Sequence, residues 1–157
     1  MFDPIKIYRL SNVMHNKELC LFARILRDIN FFLFNTYLPP SCQIGRGTLL
    51  GYKGMGTVIH PGSVVGRNCV IGHGVTLGTA LPYSTNKPSP GPRVGDNTFI
   101  GAGAKLLGNI EVGSNCTIAA GAIVLQNFPD NSIIVGIPGR HIGTNDTGYR
   151  AIIQVLE

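Results

Sequence analysis

An aliphatic residue, usually followed by glycine, recurs every six positions along most of this 157-residue chain. The twelve positions are Ile44 and Leu50, then Ile59, Val65, Ile71 and Leu77, then Val94, Ile100, Leu106, Val112, Ile118 and Val124; eight of them precede a glycine. Two places before each stands mostly a small or β-branched residue, such as Cys42, Thr48, Thr57, Ser63, Cys69, Thr98, Ala104, Cys116 or Ala122. A period of six matches neither a 3.6-residue helix nor a two-residue alternation. It matches a solenoid in which each hexad forms one short side and three hexads close a triangular coil. The fold class expected is therefore an all-β solenoid.

Two interruptions break the period. Three extra residues separate Leu50 from Ile59, and Gly51–Gly56 there reads as a glycine-rich bulge. Residues 79–93 are too rich in proline to continue a sheet and read as an external loop, the kind of segment that carries function on a rigid scaffold. Before the repeats, residues 5–38 read as helical, closed by Pro39-Pro40. The expected domains are an N-terminal helical segment (1–40), the solenoid (41–142) and a tail (143–157). After Gln126 the chain is expected to leave the prism, with Ile137–Arg140 as a turn.

The net charge of +5 is spread thinly, without basic runs or interleaved aromatics, so nucleic acid is not an expected partner. Leu19–Leu38 is apolar, but Arg24, Arg27, Asp28, Asn30 and Asn35 argue against a membrane span. A helix packed on the solenoid end or at a subunit interface is expected there, with shallow membrane association as the lesser reading. The first residues lack a secretory pattern, so the expected localisation is cytoplasmic. Cys42, Cys69 and Cys116 take the small position of their hexads and read as buried thiols. No His, Cys and carboxylate cluster has ligand spacing, so no metal is expected.

Stacking the hexads in threes puts Tyr52, His73, Ala102 and Ala120 in one vertical line, on coils spaced like strands, about 4.8 Å apart. A line ending in two alanines is an open groove beside backbone amides, with His73 at one end.

These hexads resemble the left-handed β-helix acyltransferases of the hexapeptide-repeat class, and within them the serine acetyltransferases and their relatives in polysaccharide biosynthesis. Val75-Thr76-Leu77-Gly78 is similar to their VTLGG segment, Ile100–Gly113 to their second signature, and Val135–Arg140 to their closing GVPAR turn. The likeness covers roughly residues 40–142. It implies a left-handed parallel β-helix with a short N-terminal helical segment, a homotrimer, and acetyl-CoA as acyl donor bound between subunits. Onto the matching positions it carries Gly78 and Thr79 near the thioester, with the Gly78 N–H as oxyanion donor. Ala102, Ala120 and Gly121 fall along the pantetheine, and Lys105 and Arg140 become candidates for the CoA phosphates or else plain solvated charge.

The sequence also departs from serine acetyltransferases. Where they carry a catalytic Asp-His pair, this chain has Leu50–Gly56 with neither residue; where they carry Arg-His-Pro, it reads Ser89–Arg93. The stretch Gly51–His60 instead resembles O-acetyltransferases of capsule and O-antigen clusters, which implies a sugar or glycan-precursor hydroxyl as acceptor. O-acetyl transfer needs a base, and histidine suits it. His15 and His141 read as surface residues. His60 and His73 are the candidates, the first alternatively an ordinary corner residue before Pro61, the second alternatively a non-catalytic lining residue. Tyr83, Asn86 and Lys87 in the external loop are candidate acceptor contacts. The alternatives are a serine O-acetyltransferase with a rearranged acceptor site, N-acetylation of an amino sugar, or a catalytically idle assembly module.

Overall fold

The computed structural model describes residues 3–79 and 89–145. Two helices come first. α1 (Pro4–Asn16) is capped by Asp3, whose carboxylate accepts from the Ile5 amide, and has Pro4 in its first turn, where a missing N–H costs nothing. Glu18, in the left-handed region at φ 62°, breaks the chain before α2 (Cys20–Phe34), which itself ends on left-handed Asn35. The single helical stretch expected over residues 5–38 is thus a helix pair. Helical periodicity runs on through the turn, so the break at Lys17–Leu19 is not visible as a change of pattern.

The solenoid follows in four full coils. The first holds β1 (Gln43–Ile44), β2 (Leu49–Leu50) and β3 (Val58–Ile59), with a tight turn at Gly51–Gly54 whose two central residues are left-handed. The second holds β4 (Val64–Val65), β5 (Val70–Ile71) and β6 (Thr76–Gly78). The third holds β7 (Arg93–Val94), β8 (Phe99–Ile100) and β9 (Lys105–Leu107), and the fourth β10 (Glu111–Val112), β11 (Thr117–Ile118) and β12 (Ile123–Val124). Strands stack in parallel as three faces: β1-β4-β7-β10, then β2-β5-β8-β11, then β3-β6-β9-β12. β13 (Ser132–Val135) adds to the second face beside β11, and β14 (Arg140–Thr144) returns antiparallel to it.

All twelve aliphatic repeat positions sit on strands. Eleven are buried, and Leu50 is partly buried against the same core. Register is unbroken along each face, for instance Leu50–Ile71–Ile100–Ile118 and then Ile134. Glycine follows the aliphatic residue for a steric reason. A Cβ at Gly45, Gly66, Gly95 or Gly113 on the first face, or at Gly72 or Gly101 on the second, would lie 2.3–2.6 Å from atoms of the next coil. Real Cβ atoms do not approach so closely, so the coils can turn there only without a side chain. On the third face the constraint lapses, and His60, Leu107 and Leu125 stand in the corresponding places.

The prism is longer than the hexads suggest. Tyr37 bridges Val58 in parallel and Leu38 is fully buried, so the first coil begins before Pro39. Beyond Gln126 the chain does not leave the prism: Phe128 bridges Val112 and Ile133 and Ile134 are buried, completing a further partial coil. The spacing there departs from six, which hides it from a period search.

α1 caps the end of the prism. The Tyr8 hydroxyl donates to the Cys42 carbonyl (2.7 Å) and accepts from the Ile44 amide (3.1 Å), and the Arg9 guanidinium donates to the Ile44 and Gly45 carbonyls. These bonds satisfy the edge of β1, which would otherwise be open. It is thus α1 that packs on the solenoid end as a helix; of Leu19–Leu38, α2 packs on α1 while Tyr37 and Leu38 enter the first coil. α2 lies on α1 through Ala23 and Asn30 and turns Leu21, Phe22, Ile25, Ile29, Phe32 and Leu33 outward. Among the described residues no helix is long and apolar enough to cross a membrane.

Candidate functional site

Each coil makes a tight turn between faces, and left-handed backbone recurs from coil to coil at two of the three edges, with Gly108 alone adopting it on the third among the described residues. Between the first and second faces asparagine supplies it, at Asn68, Asn97, Asn115 and Asn131, with φ of 55–60°. Between the second and third faces glycine supplies it, at Gly74, Gly103, Gly121 and Gly136. Here the backbone climbs by a ladder: the Gly74 amide donates to Met55, Gly103 to His73, and Gly121 to Ala102, each at 2.8 Å. Tyr52, His73, Ala102 and Ala120 follow one another along this edge, as expected from the hexads. A Cβ at Gly103 or Gly121 would meet nothing within 4 Å. Open space lies along this edge beside unbranched backbone.

At the lower end of the line, the Tyr52 and His73 rings meet edge to face, their centroids 5.3 Å apart and planes at 85°. His73 is half-buried between Gly72 and Gly74. Tyr52 is 81% exposed and lies in the left-handed region, as does Lys53 after it. This strained pair is held from behind. The Thr36 hydroxyl lies 3.1 Å from the Lys53 carbonyl and 2.7 Å from that of Gly54, the Lys53 ammonium sits over the Phe34 ring, and the Gly56 amide donates to Asn35. The link between the helices and the first coil therefore shapes the bulge. The line through Tyr52 and His73 carries the signal for this ring contact, since the two residues occupy equivalent positions on neighbouring coils.

His60 occupies a different edge, between the third and first faces, so one subunit does not bring the two candidate bases together. It is 9% exposed, and its Nδ1 accepts from the Gly62 amide at 3.1 Å. Burial pushes its pKa below the ordinary histidine value. Neutral His60 consequently carries its proton on Nε2 and has its one ring lone pair already engaged. His15 is half-buried at the end of α1, and His141 is exposed on β14.

Gly78 ends β6, paired with Leu107, its carbonyl accepting from the Gly108 amide. Thr79, half-buried, is the last described residue before the loop. Lys105 is exposed on the third face between Thr76 and Ile123, on the coil that carries Ala102. Exposed Arg140 opens β14 opposite Val135, after the Gly136–Gly139 turn that caps the line of small residues. Tyr83, Asn86 and Lys87 lie outside the described residues. Among the described residues, no group of three or more His, Cys, Asp or Glu side chains could hold a metal ion.

Family profiles match both halves of the prism: the hexapeptide repeat of succinyl-transferase over residues 43–79, and the bacterial transferase hexapeptide (six repeats) over residues 91–126. A serine acetyltransferase of Synechococcus elongatus is 36% identical over 154 residues, 98% of this chain and 59% of that protein. Among solved structures, a serine acetyltransferase from Vibrio cholerae superposes with a TM-score of 0.85 at 30% identity, over 95% of this chain and 56% of that one. A serine acetyltransferase in complex with CoA superposes with a TM-score of 0.79 at 32% identity, over 88% of this chain and 55% of that one. The chain spans somewhat under three fifths of the length of these three relatives. All three are named serine acetyltransferases, and none of them bears out the special nearness to polysaccharide enzymes expected from Gly51–His60. By its repeats, its parallel three-faced coils and these similarities, the chain is a left-handed β-helix built of hexapeptide repeats.

Proposed function

We propose that this chain is the acyl-donor-binding and catalytic part of an acetyl-CoA-dependent O-acetyltransferase, with L-serine as the first acceptor. The observation that carries the proposal is the line Tyr52–His73–Ala102–Ala120, where a histidine opens onto a side-chain-free edge. An extended pantetheine arm fits such an edge, since it needs backbone partners and no steric obstruction. The serine acetyltransferases similar to this chain, one of them solved with CoA, support the donor and the acceptor.

His73 is the better base. Its ring nitrogens have no hydrogen-bond partner among the described residues, whereas the free lone pair of His60 is taken by Gly62. In the reaction His73 accepts the proton of the acceptor hydroxyl as its oxygen attacks the thioester carbonyl. Collapse of the tetrahedral intermediate breaks the C–S bond, the acetyl group stays on oxygen, and the imidazolium returns its proton to the departing CoA thiolate. The Gly78 amide is the proposed oxyanion donor. Lys105 and Arg140 are the proposed phosphate contacts, as cations at the third face and the capping turn. A homotrimer is the proposed assembly, with the donor between subunits.

A sugar hydroxyl is the second reading. It is favoured by one observation: the bulge places an exposed tyrosine beside His73 where serine acetyltransferases carry their Asp-His pair.

Free-thiol release from acetyl-CoA, with L-serine in one series and nucleotide sugars or short glycans in another, tests both. Turnover with serine alone supports the first reading, and turnover with sugar alone replaces it by the second. Absence of CoA binding would reject both in favour of an idle scaffold.

A further inference from the structure

We infer that Tyr52 is the positioning residue of His73: its ring edge-to-face with the imidazole fixes the orientation in which His73 meets the acceptor hydroxyl. The inference rests on the reading of His73 as the base.

An imidazole on this edge has little else to hold it. Its chain neighbours are Gly72 and Gly74, which offer no side chain, and the next residue along the line is Ala102. The rotation about the last side-chain bond of histidine is broad, so packing or a hydrogen bond must select an angle. Among the described residues no hydrogen bond reaches the ring nitrogens, and one aromatic contact reaches the ring, that of Tyr52. Edge-to-face geometry is directional, because the positive rim of one ring points at the negative face of the other. It orients the imidazole while leaving both nitrogens free for chemistry.

The tyrosine is itself held at a cost. Tyr52 and Lys53 are consecutive non-glycine residues with φ of 50° and 57°, a conformation that side chains disfavour. Glycines stand on both sides of the pair, at Gly51 and Gly54, yet the two strained positions are not glycine. The bulge is braced by Thr36 and by the Gly56 amide on Asn35. A loop needed only to join β2 to β3 would not require a bulky ring turned 81% to solvent at its strained point.

The test compares Tyr52→Phe, Tyr52→Leu and His73→Ala in the full chain, with the acceptor that supports turnover. Tyr52→Phe keeps the ring and is expected to hold kcat within about twofold. Tyr52→Leu is expected to lower kcat about ten- to a hundredfold with the KM for acetyl-CoA unchanged, the signature of a misoriented catalytic group. The ring C–H resonances of His73 should move in Tyr52→Leu and stay in Tyr52→Phe, a readout independent of activity. If His73→Ala abolishes turnover while Tyr52→Leu is fully active, the positioning role is overturned and the base reading stands. A Tyr52→Phe variant as inactive as Tyr52→Leu would overturn it in favour of the phenol hydroxyl. If His73→Ala remains active, the base reading fails, and unmoved His73 resonances in Tyr52→Leu would remove the positioning role as well.

Discussion

The side-chain amide of Asn97 donates to the side-chain oxygen of Asn115 at 3.2 Å, one coil above it, and both residues hold φ near 55°. Asparagine tolerates left-handed backbone better than other side chains do, and its amide can bridge the stack. The opposite edge of the prism makes the same backbone turn at Gly103 and Gly121, with φ of 70° and 69°, but carries no side chain. Space does not forbid one there. The difference between the two edges is therefore about what must lie alongside.

Asparagine placed at Gly103 or Gly121 should accordingly fold and fail to bind. The backbone strain of such a change is on the order of 1 kcal/mol, so the far-ultraviolet spectrum and melting temperature should stay close to those of the parent. CoA affinity by calorimetry should fall steeply. Gly101→Ala supplies the contrast, since its Cβ would stand 2.4 Å from the Ala120 backbone nitrogen. That variant should lose about 1–3 kcal/mol of stability by overpacking. Equal CoA binding in parent and Gly121→Asn would mean that the donor does not use this edge.

Tyr8→Phe should loosen the helical cap. The hydroxyl links the Cys42 carbonyl and the Ile44 amide at the edge of β1, and burial raises its pKa well above the tyrosine range, so it remains a donor throughout. Removing it leaves the Ile44 amide unpaired and the Cys42 carbonyl with only the longer bond from the Asn12 side-chain amide at 3.4 Å, a loss of about 1–3 kcal/mol in chemical denaturation. Amide exchange should accelerate at Ile44 before it does at Ile118.

The four cysteines should divide into one fast thiol and three slow ones. Cys20 is exposed, whereas Cys42, Cys69 and Cys116 are fully buried. Burial pushes Cys42 up to about 12 and raises Cys69 and Cys116 as well, so little thiolate forms near neutrality. A disulfide reagent on native protein should titrate one equivalent quickly and the rest only with denaturant. Rapid reaction of all four would contradict the packed prism.

His60 should make stability fall on the acid side. Its folded pKa lies below the unfolded value of about 6.5, so the unfolded chain binds the extra proton first as pH drops. Stability from neutral His60 is complete above that value and is lost as pH falls below it toward the folded pKa. His60→Asn, whose side-chain oxygen can still accept from Gly62, should flatten that part of the profile. An unchanged slope between the two proteins would show that His60 is not buried neutral.

Much of the fold could be read from residue types alone. Ile100 needs the core, a demand that repeats every six residues, and Gly101 needs the absence of a Cβ, a demand that recurs on the first two faces where each coil meets the next. The line Tyr52–His73–Ala102–Ala120 follows from counting, since parallel register carries each position directly onto its equivalent. The ends of the prism were less legible. Phe128 and Ile134 belong to the same core, yet Phe128 follows Val124 by four residues, so the period breaks there; Leu38 stands six before Ile44, but the Pro39-Pro40 after it disguises it as the end of a helix. The break at Glu18 was hidden for a similar reason, because a single left-handed residue leaves the apolar pattern around it intact.

The sequence by itself determined the three-faced prism and the order of residues along its edges, because a solenoid makes its contacts between neighbouring repeats and the chemistry of each repeat is local. The tertiary structure decided which histidine is free. His60 stands one residue after its aliphatic hexad position and His73 two after its own, which assigns them to different edges but does not say which imidazole is engaged. One is buried with its lone pair given to Gly62, and the other is turned by a tyrosine toward an open edge. That distinction depends on the path of the chain through Gly51–Gly56 and on the return of Ser89–Gly91 beside His60, where residues far apart in sequence set the surroundings of a single ring.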